Sequence, residues 1–255
     1  MTTWLALVVG NSRSHWALFQ GNTWHTTWHT PPLSSEHIQS LPHSLANLLP
    51  ESIPEPPTEI WWASVVPEQA ALWQQVDMAH EVVRDLIPVQ GLYTNLGVDR
   101  ILALLGAGTT YKWPVLVIDA GTALTITGGV REHFAGGAIL PGLRLQLQSL
   151  GQGTAALPAV ELPTSLPLRW ATETGPAMQS GVLYTTLVGL QAYMADWWKH
   201  APTSTILFTG GDGKRLYELM AELFKQETPD LVESGVRFDE NLAFWGLRAY
   251  RNAAT

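Results

Sequence analysis

Cysteine is absent from all 255 residues. That excludes disulfides and thiolate metal sites, and it suits a reducing cytosol. Positive charge is also scarce. With 14 Lys and Arg against 22 Asp and Glu the formal net charge is −8, and no basic cluster interrupts the acidic balance, so a nucleic-acid surface is not expected. No stretch approaches the roughly 20 apolar residues that span a bilayer. No basic segment precedes the short apolar run that ends at Gly10. A cytoplasmic protein with no membrane contact is therefore expected. Three familiar nucleotide or nucleophile motifs are missing too: the Gly-x-x-x-x-Gly-Lys-Ser/Thr loop, the Gly-x-Ser-x-Gly elbow and the Rossmann glycine fingerprint. The eight histidines show no metal-ligand spacing. What remains is a chain 46% hydrophobic and 14% charged, a balance typical of a packed globular protein rather than a disordered one. Its 12 tryptophans read as core and interface filler.

The chain repeats itself. Leu7-Val8-Val9-Gly10-Asn11-Ser12 is an apolar run that stops at a small-residue turn and resumes as a second extended run to Phe19. Val117-Ile118-Asp119-Ala120-Gly121-Thr122, followed by Leu124-Thr125-Ile126-Thr127, does the same about a hundred residues later. Hairpins of this kind present backbone N–H groups to a phosphate, and two of them suggest a duplicated domain with a nucleotide between the halves. Superposing the turns sets Val8 against Asp119, so only one turn carries a carboxylate.

Around each hairpin the periodicity follows one plan. Strands are expected at 4–9, 15–20 and 23–29, then a helix from Ser34 with Ile38, Leu41, Leu45 and Leu48 at helical spacing and Pro42 interrupting it. Pro50 to Pro57 reads as an extended connection; a strand over 60–66 and a helix from Pro67 follow. The second cycle has strands at 115–119, 123–128 and about 132–138, a helix near Pro141 and a loop over about 152–173. A long helix from about Thr174 to Lys199, a strand at 205–209 and two more helices complete it. The fold class is α/β, with a mixed sheet flanked by helices in each half. The expected domains are 1–113 and 114–255.

Five segments carry candidate chemistry. Gly10-Asn11-Ser12 is suited to cradling a phosphate, and is also an ordinary hairpin turn. Asp119 ends an apolar strand, where burial of its charge calls for a cation or donors. Gly97-Val98-Asp99-Arg100 opens a helix, with Asp99 reading equally as its N-cap or as a general base. Gly136 to Gly142 and Thr209-Gly210-Gly211-Asp212-Gly213 are glycine-rich strand-to-helix junctions that allow close backbone approach.

Together these pieces resemble the type III pantothenate kinases of bacteria, members of the acetate/sugar kinase–Hsp70–actin superfamily. The matching residues are Gly10-Asn11-Ser12, Tyr93, Leu96 to Arg100, Asp119 to Thr125, Gly136 to Gly142, Glu173-Thr174, Ala177 to Gly181 and Thr209 to Gly211. The resemblance implies two ribonuclease-H-like domains with ATP in the cleft between them. It implies an enzyme that phosphorylates pantothenate to 4′-phosphopantothenate at the start of coenzyme A synthesis. Asp99 would be the general base, and Tyr93, Gly97, Val98, Asp99 and Arg100 would hold pantothenate. Thr174 would reach the substrate across a homodimer interface. Val8, Val9, Gly10, Asn11, Ser12, Arg13, Ser14, His15 and Thr122 would contact ATP, carried with Mg2+. Asp119 would bind a monovalent cation, K+ or NH4+. One position departs from the family pattern: Val8 stands where an acid, commonly in Asp-x-Gly-Asn-Thr, helps to place the magnesium. That departure leaves open a catalytically weak or silent regulatory relative; an ATPase of the actin or Hsp70 kind is a third reading.

Overall fold

The computed structural model describes residues 2–41, 45–50, 56–227 and 235–255, with no account of the side chains at 46, 47 and 225–227. The predicted interruption at Pro42 and most of the Pro50 to Pro57 connection lie outside the described residues. The chain divides into two compact units, 1–110 with 242–255, and 111–241.

In the first unit β1 (Thr3–Val9), β2 (Ser14–Gln20) and β3 (Thr23–Thr30) form an antiparallel meander. The short helix α1 (Ser35–Gln39) is capped by the Ser34 side chain, which accepts from the His37 N–H. A 3-10 turn covers Leu45–Leu48, where the sequence predicted the helix to continue. Then β4 (Glu59–Ser64) pairs in parallel with β1, α2 (Pro67–Trp73) follows, and β5 (Ala79–Glu81) pairs in parallel with β4. The strand order is β3-β2-β1-β4-β5.

The second unit repeats this with β6 (Val115–Ala120), β7 (Ala123–Val130), β8 (His133–Pro141), β9 (Thr205–Thr209) and β10 (Val236–Phe238) in the order β8-β7-β6-β9-β10. The two sheets are the same topology used twice, each a mixed sheet with flanking helices. Helices α4 (Leu143–Gly153), α5 (Thr174–His200) and α6 (Gly213–Glu227) belong to this unit.

Alternation along the central strands explains how each sheet is covered. Leu5, Leu7 and Val9 of β1 enter a core with Trp16, Leu18, Ile38, Ile60, Trp62 and Trp73. The opposite face carries Trp4, stacked on Phe19 at 4.5 Å, and Trp61, edge-on to Tyr250. Tyr250 lies on α7 (Leu242–Ala254). Arg251 from the same helix sits over the Trp4 ring and ion-pairs with Glu59 at 2.9 Å. These contacts place α7 in the first unit, outside the 114–255 domain expected from the sequence. In β6, Leu116, Ile118 and Ala120 face a core built with α4, α5 and α6.

Helix α3 (Val98–Tyr111) is buried along most of its length. It crosses α7 at two glycines: a Cβ on Gly106 would collide with the Leu242 carbonyl, and one on Gly246 with the Leu102 carbonyl. Backbone meets backbone there, so neither side can yield. Gly106→Ala is expected to cost about 2 kcal/mol or more, read as a lowered midpoint in urea unfolding; an unchanged midpoint would contradict the close crossing.

Candidate functional site

In the first unit the predicted phosphate turn is a tight hairpin. Gly10 N–H donates to the Arg13 carbonyl at 3.0 Å, while Asn11, Ser12 and Arg13 are exposed. Val8 and Val9 are buried at the end of β1, and Ser14 is buried at the start of β2. His15 faces Val8 across the hairpin and lies edge-on to His29 of β3, with ring centroids 4.6 Å apart. Burial, then the neighbouring His29 and Arg13, push the His15 imidazole down to a pKa of about 4, so it is neutral at pH 7.

Residues 93–100 of the same unit are organised by arginines. Arg84 donates to the Tyr93 carbonyl at 2.5 Å and to the Leu96 carbonyl at 3.4 Å, fixing the loop that leads into α3. Arg100 is buried and donates to the Tyr93 hydroxyl at 3.2 Å. Asp99 lies inside the first turn of α3 rather than at its N-cap. Its Oδ1 accepts the Arg100 N–H at 2.8 Å, and a Cβ on Gly97 would sit only 2.5 Å from that oxygen. Glycine at 97 is what lets the carboxylate fold back over its own helix start. Burial raises the Asp99 pKa above the usual carboxylate value; the Arg100 N–H and charge offset part of that rise.

In the second unit the hairpin is one residue shorter. Gly121 N–H donates to the Ala123 carbonyl at 3.0 Å, and Thr122 is exposed at the tip. Gly142 N–H bonds the Thr122 carbonyl at 2.8 Å, and its missing Cβ makes room for the backbone of 121 and 122. The glycine-rich run thus allows the close approach the sequence suggested. Asp119 is half-buried at the end of β6. Gly210, in a left-handed conformation with φ +89°, presses its backbone against the Asp119 carboxylate and the Ala120 carbonyl, where a side chain would collide. Asp212 N–H donates to the Ala120 carbonyl at 2.8 Å, and Arg144 ion-pairs with Asp212 at 3.0 Å. Thr125, directly across from Asp119, buries a hydroxyl that has no hydrogen-bond partner, an arrangement that costs about 1–3 kcal/mol. Thr174 is exposed in the first turn of α5, which has no side-chain cap.

Tyr93, Gly97, Val98, Asp99 and Arg100 therefore form one local cluster, the residues from Val8 to His15 form another, and Asp119 and Thr122 form a third. Sequence reasoning missed Arg84, the Arg144–Asp212 pair and Thr125. A lone arginine in a 3-10 turn carries no pattern, and Thr125 reads as ordinary strand alternation. Among the described residues no group of three or more His, Asp or Glu side chains gathers as a multidentate metal site. No helix among them is long and apolar enough to cross a membrane.

Two duplicated mixed sheets with flanking helices, each ending in a glycine hairpin, define the two-domain ribonuclease-H-like fold of sugar kinases and actin-like ATPases. Solved structures bear out the fold. A Campylobacter jejuni protein described as a conserved putative Baf family transcriptional activator superposes with a TM-score of 0.64 at 18% identity, covering 98% of both chains. A putative 2-dehydro-3-deoxygalactonokinase from Sinorhizobium meliloti gives 0.57 at 13% identity, covering 98% of this chain and 96% of that one. A ROK hexokinase from Thermus thermophilus gives 0.53 at 9%, covering all of both. The sequence narrows the class. The family model for type III pantothenate kinase matches residues 4–196. A type III pantothenate kinase of Nostoc sp. is 42% identical over 96% of this chain and 93% of its own length; that of Synechocystis sp. is 43% identical over 96% and 89%. The chain belongs to the type III pantothenate kinase family.

The raised pKa of Asp99 has a consequence for stability. A carboxyl whose folded pKa lies above its unfolded value contributes stability at low pH that is lost as pH rises through the folded pKa. Asp99→Asn is therefore expected to melt above the wild type at pH 7, with the gap closing as pH falls below the carboxylate range. Thermal unfolding at pH 7 and pH 3 checks this; a variant less stable than wild type at pH 7 would contradict it.

Proposed function

We propose that the protein is a pantothenate kinase: it transfers the γ-phosphoryl group of ATP to the pantothenate 4′-hydroxyl, giving 4′-phosphopantothenate and ADP. The observation that carries this reading is family membership along almost the whole chain, and the retained Asp99 supports it. Asp99 is the general base. Its burial makes the carboxylate more basic than in water, and the Arg100 N–H holds one oxygen and so orients the other. It takes the hydroxyl proton as the pantothenate oxygen bonds to the γ-phosphorus and the bond to ADP breaks. Tyr93, Gly97, Val98 and Arg100 bind pantothenate, with Arg84 keeping their loop in shape.

ATP is bound through the residues from Val8 to His15 and through Thr122, whose hairpin backbones suit phosphate oxygens. The Val8 side chain offers no oxygen or nitrogen, so the first hairpin is a poor fit for a directly bound divalent ion. Magnesium accompanies the nucleotide, held chiefly by phosphates and water. Asp119 binds a monovalent cation, K+ or NH4+, which supplies positive charge near the phosphates. A single carboxylate beside neutral hydroxyls suits one positive charge. The protein acts as a homodimer in the cytoplasm, with Thr174 at the exposed start of α5 reaching the partner's substrate.

The test is ATP-dependent formation of 4′-phosphopantothenate by the purified protein with magnesium and potassium present. Wild type should make product, and Asp99→Asn should lower kcat by about 10²–10⁴-fold while leaving ATP binding nearly unchanged. Equal turnover by the variant would reject Asp99 as the base, and no product from folded wild type would reject the kinase reading.

A further inference from the structure

The end of β6 holds more than one oxygen donor. In register, Asp119 stands beside Thr125 of β7 on one side and Thr209 of β9 on the other. Paired positions in a sheet point to the same face, so a hydroxyl, a carboxylate and a second hydroxyl form a row across three strands. Thr125 is 9% exposed and Thr209 5%. The Gly210 backbone closes against the carboxylate, leaving no space for a side chain there. The Thr125 Oγ1 makes no hydrogen bond, not even to the carboxylate beside it.

A buried hydroxyl without a partner destabilises a fold, and valine would fill the same space without that penalty. Its lone pairs are donors for a cation. An ion seated against Asp119 on this face would give the Thr125 hydroxyl a partner. With one negative charge and neutral oxygens around it, the row favours a large, singly charged ion over a divalent one, which calls for more carboxylates or a retained water shell. We propose that the Thr125 hydroxyl is a ligand of the monovalent cation held by Asp119, and that Thr125 rather than the turn residues sets how tightly that cation binds. The inference rests on the cation reading of Asp119 given above.

The experiment is thermal unfolding of purified wild type, Thr125→Val, Thr125→Ser and Asp119→Asn across a potassium titration, with ionic strength held constant by tetramethylammonium chloride. The wild-type midpoint should rise with potassium. Thr125→Val should need about tenfold more potassium for the same rise, yet be at least as stable as wild type when potassium is absent. A merely structural threonine would not produce that reversal of order. Thr125→Ser, which keeps the hydroxyl, should respond as wild type does. A wild-type potassium response in Thr125→Val, alongside a lost response in Asp119→Asn, would overturn the role of Thr125 and leave the Asp119 site standing. No potassium response in wild type would overturn both.

Discussion

Two of the three candidate clusters hang from the ends of two central strands whose backbones are paired on both sides. β1 and β6 each have an antiparallel hairpin partner on one edge and a parallel strand on the other. Their N–H and C=O groups are therefore committed to the ladder, and their side chains are buried on both faces. Such a strand can neither slide nor twist independently. The turn that follows it inherits that rigidity, and Gly10 and Gly121 each close their hairpins with a single bond of the same length.

The two ends have nonetheless diverged in charge. Across the first sheet one row reads Ala63, Val8, His15 and His29. Across the second, the corresponding row reads Thr209, Asp119, Thr125 and Ile139. In the first sheet the polar members are His15 and His29 on β2 and β3, whereas in the second they are Thr209, Asp119 and Thr125 on β9, β6 and β7. The first end pays little desolvation cost, because Val8 is aliphatic and His15 is kept neutral by burial. The second confines a carboxylate under the Gly210 backbone. Beside it the Thr125 hydroxyl is buried with no hydrogen-bond partner.

The architecture was largely legible because its central elements are extreme. Long apolar runs broken by Gly-Asn-Ser and Gly-Thr announced β1, β2, β6 and β7. Alternation and proline placement gave β3, β4 and the start of α2. The three-residue strands β5 and β10 escaped, since Ala79–Glu81 and Val236–Phe238 are too short to show a period. The assignment of α7 also escaped. Its amphipathic pattern says that one face is buried, but only Trp245, Tyr250 and Arg251 packing on Phe19, Trp61 and Trp4 say where. Asp99 was visible as a carboxylate at a helix start. What perturbs it, the fold-back permitted by Gly97 and the burial of its neighbours, is tertiary and has no signal in spacing. Arg84 and Thr125 were hidden for the same reason, being made significant by what lies across a loop or a strand.

The two hairpins end the same kind of strand, and where the second carries Asp119 the first carries Val8. The direct measurement is the magnesium dependence of phosphoryl transfer in Val8→Asp beside wild type, with folding checked by circular dichroism. The variant is expected to reach half-maximal activity at about tenfold lower magnesium. A folded variant that still binds pantothenate, yet has an unchanged or higher magnesium requirement, would contradict it and show that the whole first turn has been remodelled.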